Sequence, residues 1–127
     1  MAKRPAHVTE AELAVLDFLW DEGDRSARQI TEKLYPRGTP ADVATVQKLL
    51  TRLEDKRFVR RDRKERVHRF SATIPRTQFA GQQLSDLAKR LSGGSLTPLL
   101  VHLVESNRLK QSELDELRAL IEDRGRR

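Results

Sequence analysis

The sequence predicts a mainly α-helical protein with one small β-wing, and three observations lead to it. Successive segments carry apolar residues at helical spacing, several of them opened by a Ser or Thr able to cap a helix. One short stretch, Phe58 to Ala72, reads instead as two strands. After Pro75 the helical pattern resumes and continues to the end of the chain. The order helix, helix, helix, two strands is that of a winged helix-turn-helix, expected over 1–74, with a helical region following over 75–127.

Thr9 and Glu12 have the spacing of a capping box, so a first helix opens there. Leu13, Val15, Leu16, Leu19 and Trp20 supply its apolar face, and Gly23 closes it. Ser26 caps a short second helix with Ala27, Ile30 and Leu34 on one side, ended by Pro36 and Gly38. Thr39, Pro40 and Asp42 start a third helix that runs to about Lys56. Phe58 and Val59 enter a ribbon and Val67 and Phe70 return from it, around Lys64-Glu65. That pair lacks the Gly or Asn of a tight hairpin, so a longer turn is expected. A helix over Thr77 to Leu91 is broken by Gly93-Gly94, and a second apolar run tolerates Pro98 in its first turn. Ser112 is expected to cap the last helix, which the region from Gly125 to Arg127 stops.

Apolar residues make up 37% of the 127 and aromatics 5%, against 35% charged, so the core is modest and a partner surface is a natural remedy. The net charge is +6. It concentrates after Lys56, where seven basic residues from Arg57 to Arg69 face two acidic ones, Asp62 and Glu65. Location, more than the sum, suggests an anionic partner. Without cysteine there is no disulfide, thiolate metal site or cysteine nucleophile. The amino-terminal stretch lacks an apolar signal core, and nowhere do the roughly 20 apolar residues of a membrane span occur, so a cytoplasmic protein without membrane insertion is expected.

On a helical wheel Val46, Leu49, Leu50 and Leu53 gather on one side of the third helix, while Ala44, Gln47, Lys48, Thr51 and Arg52 face away. A phosphate-lined groove selects such a polar, non-acidic face. Gln47 can read an adenine edge, Lys48 a guanine edge or a phosphate, and Thr45 or Ala44 a thymine methyl, with Arg52 better placed for a phosphate. In the ribbon, Arg61 and Arg63 are expected on one face of the first strand, Lys64 at the tip and Arg66 at the start of the second. All four are phosphate candidates. Arg60 and Arg69 are expected to cover apolar surface or pair with acids such as Asp62. The bland alternative for each is a solvated side chain, and for the whole a winged-helix protein-interaction module without sequence-specific DNA binding.

The carboxyl-terminal region is rich in large aliphatics: Leu84, Leu87, Leu91, Leu96, Leu99, Leu100, Leu103, Val104, Leu114, Leu117, Leu120 and Ile121. They either bury one another across a homodimer, the preferred reading, or pack back on the winged helix. A two-fold dimer implies a palindromic operator on double-stranded DNA. His7, His68 and His102 are dispersed, and no HExxH, glycine-rich phosphate loop or Gly-x-Ser-x-Gly occurs. No enzyme, metal site or cofactor is expected.

The segments TEAELAVLDFLW, TVQKLLTRLEDKRFVRR, RVHRFSA and, later, GGSLTPLLVHLVE with LKQSELDELRALI resemble the penicillinase-repressor (BlaI/MecI) family of bacterial transcriptional repressors. The resemblance covers most of the chain. It implies a homodimeric repressor on an inverted-repeat operator, dimerised by its carboxyl-terminal helices, with the DNA-contacting segment falling on Ala44, Thr45, Gln47, Lys48, Thr51 and Arg52. Some relatives have a basic residue at the Ala44 position. Penicillinase-type members are cut at an Asn-Phe bond on a signal from a membrane sensor-protease, whereas the aligned pair here is His102-Leu103. Copper-responsive relatives carry a cysteine cluster that this chain lacks. Release by a regulatory protease, by a small ligand or by dilution are the alternatives.

Overall fold

The computed structural model describes residues 7–126. The start of the amino-terminal stretch read above, and Arg127 of the basic end, lie outside them. The chain divides into two compact units, one reaching to Gln83 and the other beginning at Leu84.

The first unit is built on helices that announce themselves locally. Helix α1 (Glu10–Glu22) opens on the expected box, with the Glu12 amide donating to Thr9 Oγ1 (3.2 Å) and the Thr9 amide to Glu12 Oε1 (2.9 Å). It closes on Gly23, whose positive φ of 80° is a conformation costly to residues with a side chain. Helix α2 (Ala27–Leu34) opens on a Ser26–Gln29 box, and α3 (Pro40–Asp55) on Thr39 and Asp42 with proline in the first turn. Between α1 and α2 lies a strand the sequence did not indicate, β1 (Arg25–Ser26). With β2 (Val59–Asp62) and β3 (Arg69–Ala72) it makes a three-stranded antiparallel sheet in the order β1-β3-β2. Ser26 therefore both pairs with Arg69 and caps α2.

Val15, Leu16 and Leu19 of α1, Ile30 of α2 and Val46, Leu49, Leu50 and Leu53 of α3 form one buried cluster with Phe58, Val59, Phe70 and Phe79. Val46, Leu49, Leu50 and Leu53 are the i, i+3, i+4, i+7 positions of α3, and Val15, Leu16 and Leu19 complete the same spacing counted from Glu12 in α1, so periodicity selects them. Two of the expectations for this face are corrected. Leu13 is 38% exposed, because the core-facing position beside it belongs to Glu12, which is fully buried. Val67 is 60% exposed, because β3 begins only at Arg69 and the turn occupies 63–68. The longer turn is as expected, and Asp62 stabilises it by accepting from the Lys64 amide (2.9 Å).

After Pro75, α4 (Arg76–Ser92) starts against α1. Phe79 meets Trp20 and Phe58 with ring centroids 5.3 and 5.1 Å apart, Trp20 Nε1 donates to Ile74 O (2.8 Å), and Arg76 pairs with Asp21 (2.9 Å) while lying over the Trp20 ring.

In the second unit α4 ends at Gly93-Gly94, where the Gly94 amide reaches back to Ala88 O (3.0 Å). Helix α5 (Thr97–Glu105) carries Pro98 in its first turn, as expected, and α6 (Gln111–Gly125) follows. The cap expected at Ser112 sits instead at Lys110, whose amide donates to Glu113 Oε1 (2.9 Å). Ser112 thus falls within the first turn, because Glu113 accepts from a cap two residues earlier. Neither α5 nor α6 has a buried residue.

Candidate nucleic-acid interface

Four apolar side chains hold α3 to the core, and its opposite face carries Ala44, Thr45, Gln47, Lys48, Thr51 and Arg52, all exposed. The two threonine hydroxyls donate back along the helix, Thr45 to Ala41 O and Thr51 to Gln47 O, both at 3.0 Å. Their methyl groups and lone pairs remain available to a ligand, whereas their protons are engaged.

Beside this face the turn 63–68 carries Arg63, Lys64 and Arg66, each exposed. Among the described residues none of their side chains makes an ion pair, and the same holds for Lys48, Arg52 and Arg60. Arg63 and Arg66 were expected on strands. They lie in the turn because pairing stops at Asp62↔Arg69. Between the turn, α3 and the start of α2 runs an open cleft of about 460 Å³, lined by Arg28, Gln47, Thr51, Arg61, Arg66 and His68.

Two arginines of the ribbon are not free. Arg69 pairs with Asp24 (3.3 Å) and donates to its carbonyl (3.0 Å), which ties β3 to the loop before β1. That hydrogen bond and the arginine charge hold the Asp24 carboxyl below its usual range. The expectation that Arg69 pairs with an acid holds in kind, with Asp24 in place of Asp62. Arg61, read as a phosphate candidate, lies with its guanidinium on Glu54 Oε1, Nη2 at 2.8 Å and Nε at 3.2 Å, and 4.8 Å from the Phe70 ring centroid.

Arg28 was not singled out by sequence reasoning, and His68 was named only as a dispersed histidine without a role. The signal that could have found Arg28 is its place at the start of α2, since the helix preceding a recognition helix crosses the nucleic-acid backbone. Nothing local marks the Glu54–Arg61 pair, whose members lie on a helix end and a strand.

In the second unit Leu84, Leu91, Leu96, Leu100, Leu103, Val104, Leu117, Leu120 and Ile121 are exposed, and Leu87, Leu99 and Leu114 are half-buried. Leu100, Val104, Leu109, Leu114, Leu117 and Ile121 line an apolar groove between α5 and α6. Among the described residues no helix is long and apolar enough to cross a membrane.

The chain is similar to known proteins along nearly its whole length. The chain is 24% identical over 123 residues to a penicillinase repressor of Staphylococcus aureus, covering 97% of each chain. It is 22% identical over 121 residues to the methicillin resistance regulatory protein MecI of Mammaliicoccus sciuri, covering 95% of this chain and 98% of the other. A penicillinase repressor of Bacillus licheniformis is likewise 22% identical over 121 residues, covering 95% and 94%. Residues 8–123 match the family described as penicillinase repressor, and with more than half of its length so matched the chain belongs to that family.

Proposed function

We propose that two copies of this chain form a homodimer that occupies an inverted-repeat operator on double-stranded DNA and represses transcription. The observation that carries the reading is the exposed polar face of α3 standing beside three unpaired cations of the wing. The α3 face offers Gln47, Lys48 and Thr51 to base edges in the major groove. Arg52, Arg63, Lys64 and Arg66 neutralise phosphates, which adds affinity and orientation without sequence information. Residues 75–127 act as the dimerisation region. The exposed aliphatics of α5 and α6 support this, since a face of this kind left in water costs about 25 cal/mol per Å². Their burial against a second copy brings two recognition helices to half-sites a helical turn or a multiple apart. The names of the relatives, penicillinase repressor and methicillin resistance regulatory protein, support regulation over catalysis.

The deciding experiment is a salt titration of duplex binding followed by fluorescence anisotropy, with the duplex first selected from a random pool. A dimer making six to ten phosphate contacts loses roughly 10³–10⁵ in affinity between 50 and 200 mM salt. Binding that is absent at low salt, or indifferent to salt, would leave the alternative of a winged-helix protein-interaction module. The selected sequences also report palindromy and half-site spacing.

A further inference from the structure

We infer that Arg61 is a positioning residue for the wing and not a phosphate ligand, and that Glu54 is its partner in setting the wing against the recognition helix. The inference rests on the DNA-binding reading above and deepens it. Glu54 stands in the last turn of α3, where a carboxylate meets the negative end of the helix dipole and gains nothing from it. It also stands on the helix that carries Thr51 and Arg52, where an acid would repel a phosphate backbone. Neither its helix nor its proposed ligand accounts for it. Arg61 does: both Nε and Nη2 converge on Glu54 Oε1, and the side chains are 25% and 22% exposed.

The other face of the guanidinium is also occupied. Arg61 is paired in register with Phe70 on β3 and lies over its ring, which is itself in the core. The arginine thus joins three things: the end of α3, strand β2 and the hydrophobic core under β3. An arginine whose charge is neutralised and whose guanidinium lies over a ring has little left to offer a phosphate. Two residues further on, beyond Asp62, Arg63 is the first of the turn's three unpaired cations. Their distance from the α3 face is set by the strand that Arg61 holds. The net effect is a division between one arginine spent on geometry and three, Arg63, Lys64 and Arg66, left for the ligand.

Charge alone and positioning predict opposite signs for loss of Glu54, which makes the idea testable. The full-length protein is titrated with its selected duplex and with a random-sequence duplex at several salt concentrations, as Glu54→Ala, Glu54→Gln, Arg61→Ala, Arg61→Lys and Arg63→Ala. Thermal unfolding of each variant verifies that it folds. If the pair positions the wing, Glu54→Ala weakens binding to the selected duplex roughly fivefold, the scale of a partly exposed ion pair, although it removes a negative charge near DNA. Arg61→Ala weakens it similarly with an unchanged slope of log affinity against log salt. Arg61→Lys keeps the charge but loses the fork, and stays weak. Arg63→Ala lowers the slope by about one.

Tighter or unchanged binding by both Glu54 variants would overturn the inference, as would a slope lowered by about one in Arg61→Ala or full affinity in Arg61→Lys. If the unaltered protein itself shows no salt-dependent duplex binding, the functional reading fails and this inference with it. That outcome appears before any substitution is made.

Discussion

Glu12 shows how much one residue does beyond its local signal. Its spacing from Thr9 marks it as a capping partner, yet it is fully buried and its two carboxylate oxygens take Lys56 Nζ at 2.8 and 2.9 Å. Burial pushes the carboxyl up, but the hydrogen bonds from Lys56 and Thr9 outweigh it and leave it below its ordinary 4.5. A carboxyl lowered in the folded state contributes stability that is present above its unfolded value and lost as pH falls through the folded one. Urea unfolding is therefore expected to show stability declining on acidification below about pH 4.5, with Glu12→Gln flattening that decline. Lys56→Met, which strands the carboxylate, should cost about 3 kcal/mol, the low end for a buried pair because Lys56 reaches water. Arg57 is a second case. It has a φ of 68° and follows α3 in a Schellman ending, with Phe58 N donating to Leu53 O and Arg57 N to Glu54 O. Glycine is the residue that marks such an ending in a sequence, so the arginine concealed it. Arg57→Gly should raise stability by about 1 kcal/mol, read as a higher urea midpoint at unchanged slope. At Lys48 the expected change is in discrimination: Lys48→Ala should cost about 1–3 kcal/mol on the selected duplex and much less on random DNA.

Among the elements, the helices of the first unit were legible because caps and periodicity are local. Thr9 and Thr39 each open a helix where their spacing to Glu12 and Asp42 says they should, and Ser26 opens one where its type suggests a cap. Strand β1 was not legible. Two residues have no period, and what makes them a strand is the main chain of Arg69 and Phe70 more than 40 positions away in the sequence. The wing was legible as a ribbon, but its register was not. Pairing ends at Asp62↔Arg69, so Arg63 and Arg66 leave the strands and stand in the turn with Lys64. Under the proposed function such cations work through counterion release, and Lys64→Ala, like Arg63→Ala, should lower the salt slope by about one while leaving the selected sequence unchanged.

For the whole molecule, the aliphatic faces of the second unit are the decisive property. A helix pair without a single buried side chain is unsuited to stand alone in water. Leu100, 49% exposed and on the wall of the α5–α6 groove, is the residue to test. Leu100→Glu places a charge in that wall and should yield monomer by sedimentation, with operator affinity falling as bivalent binding is lost. A dimer unchanged by the substitution would put the seam on other residues. The sequence by itself determined the helix starts of the first unit, most of its apolar faces, the basic ribbon and the family, because capping, periodicity and composition are written in neighbouring residues. Only the tertiary structure decided which arginines are free. Arg61 and Arg69 are neutralised by Glu54 and Asp24 while Arg63 and Arg66 are not. That difference rests on distances between elements, over which Coulomb attraction acts and which no local pattern encodes.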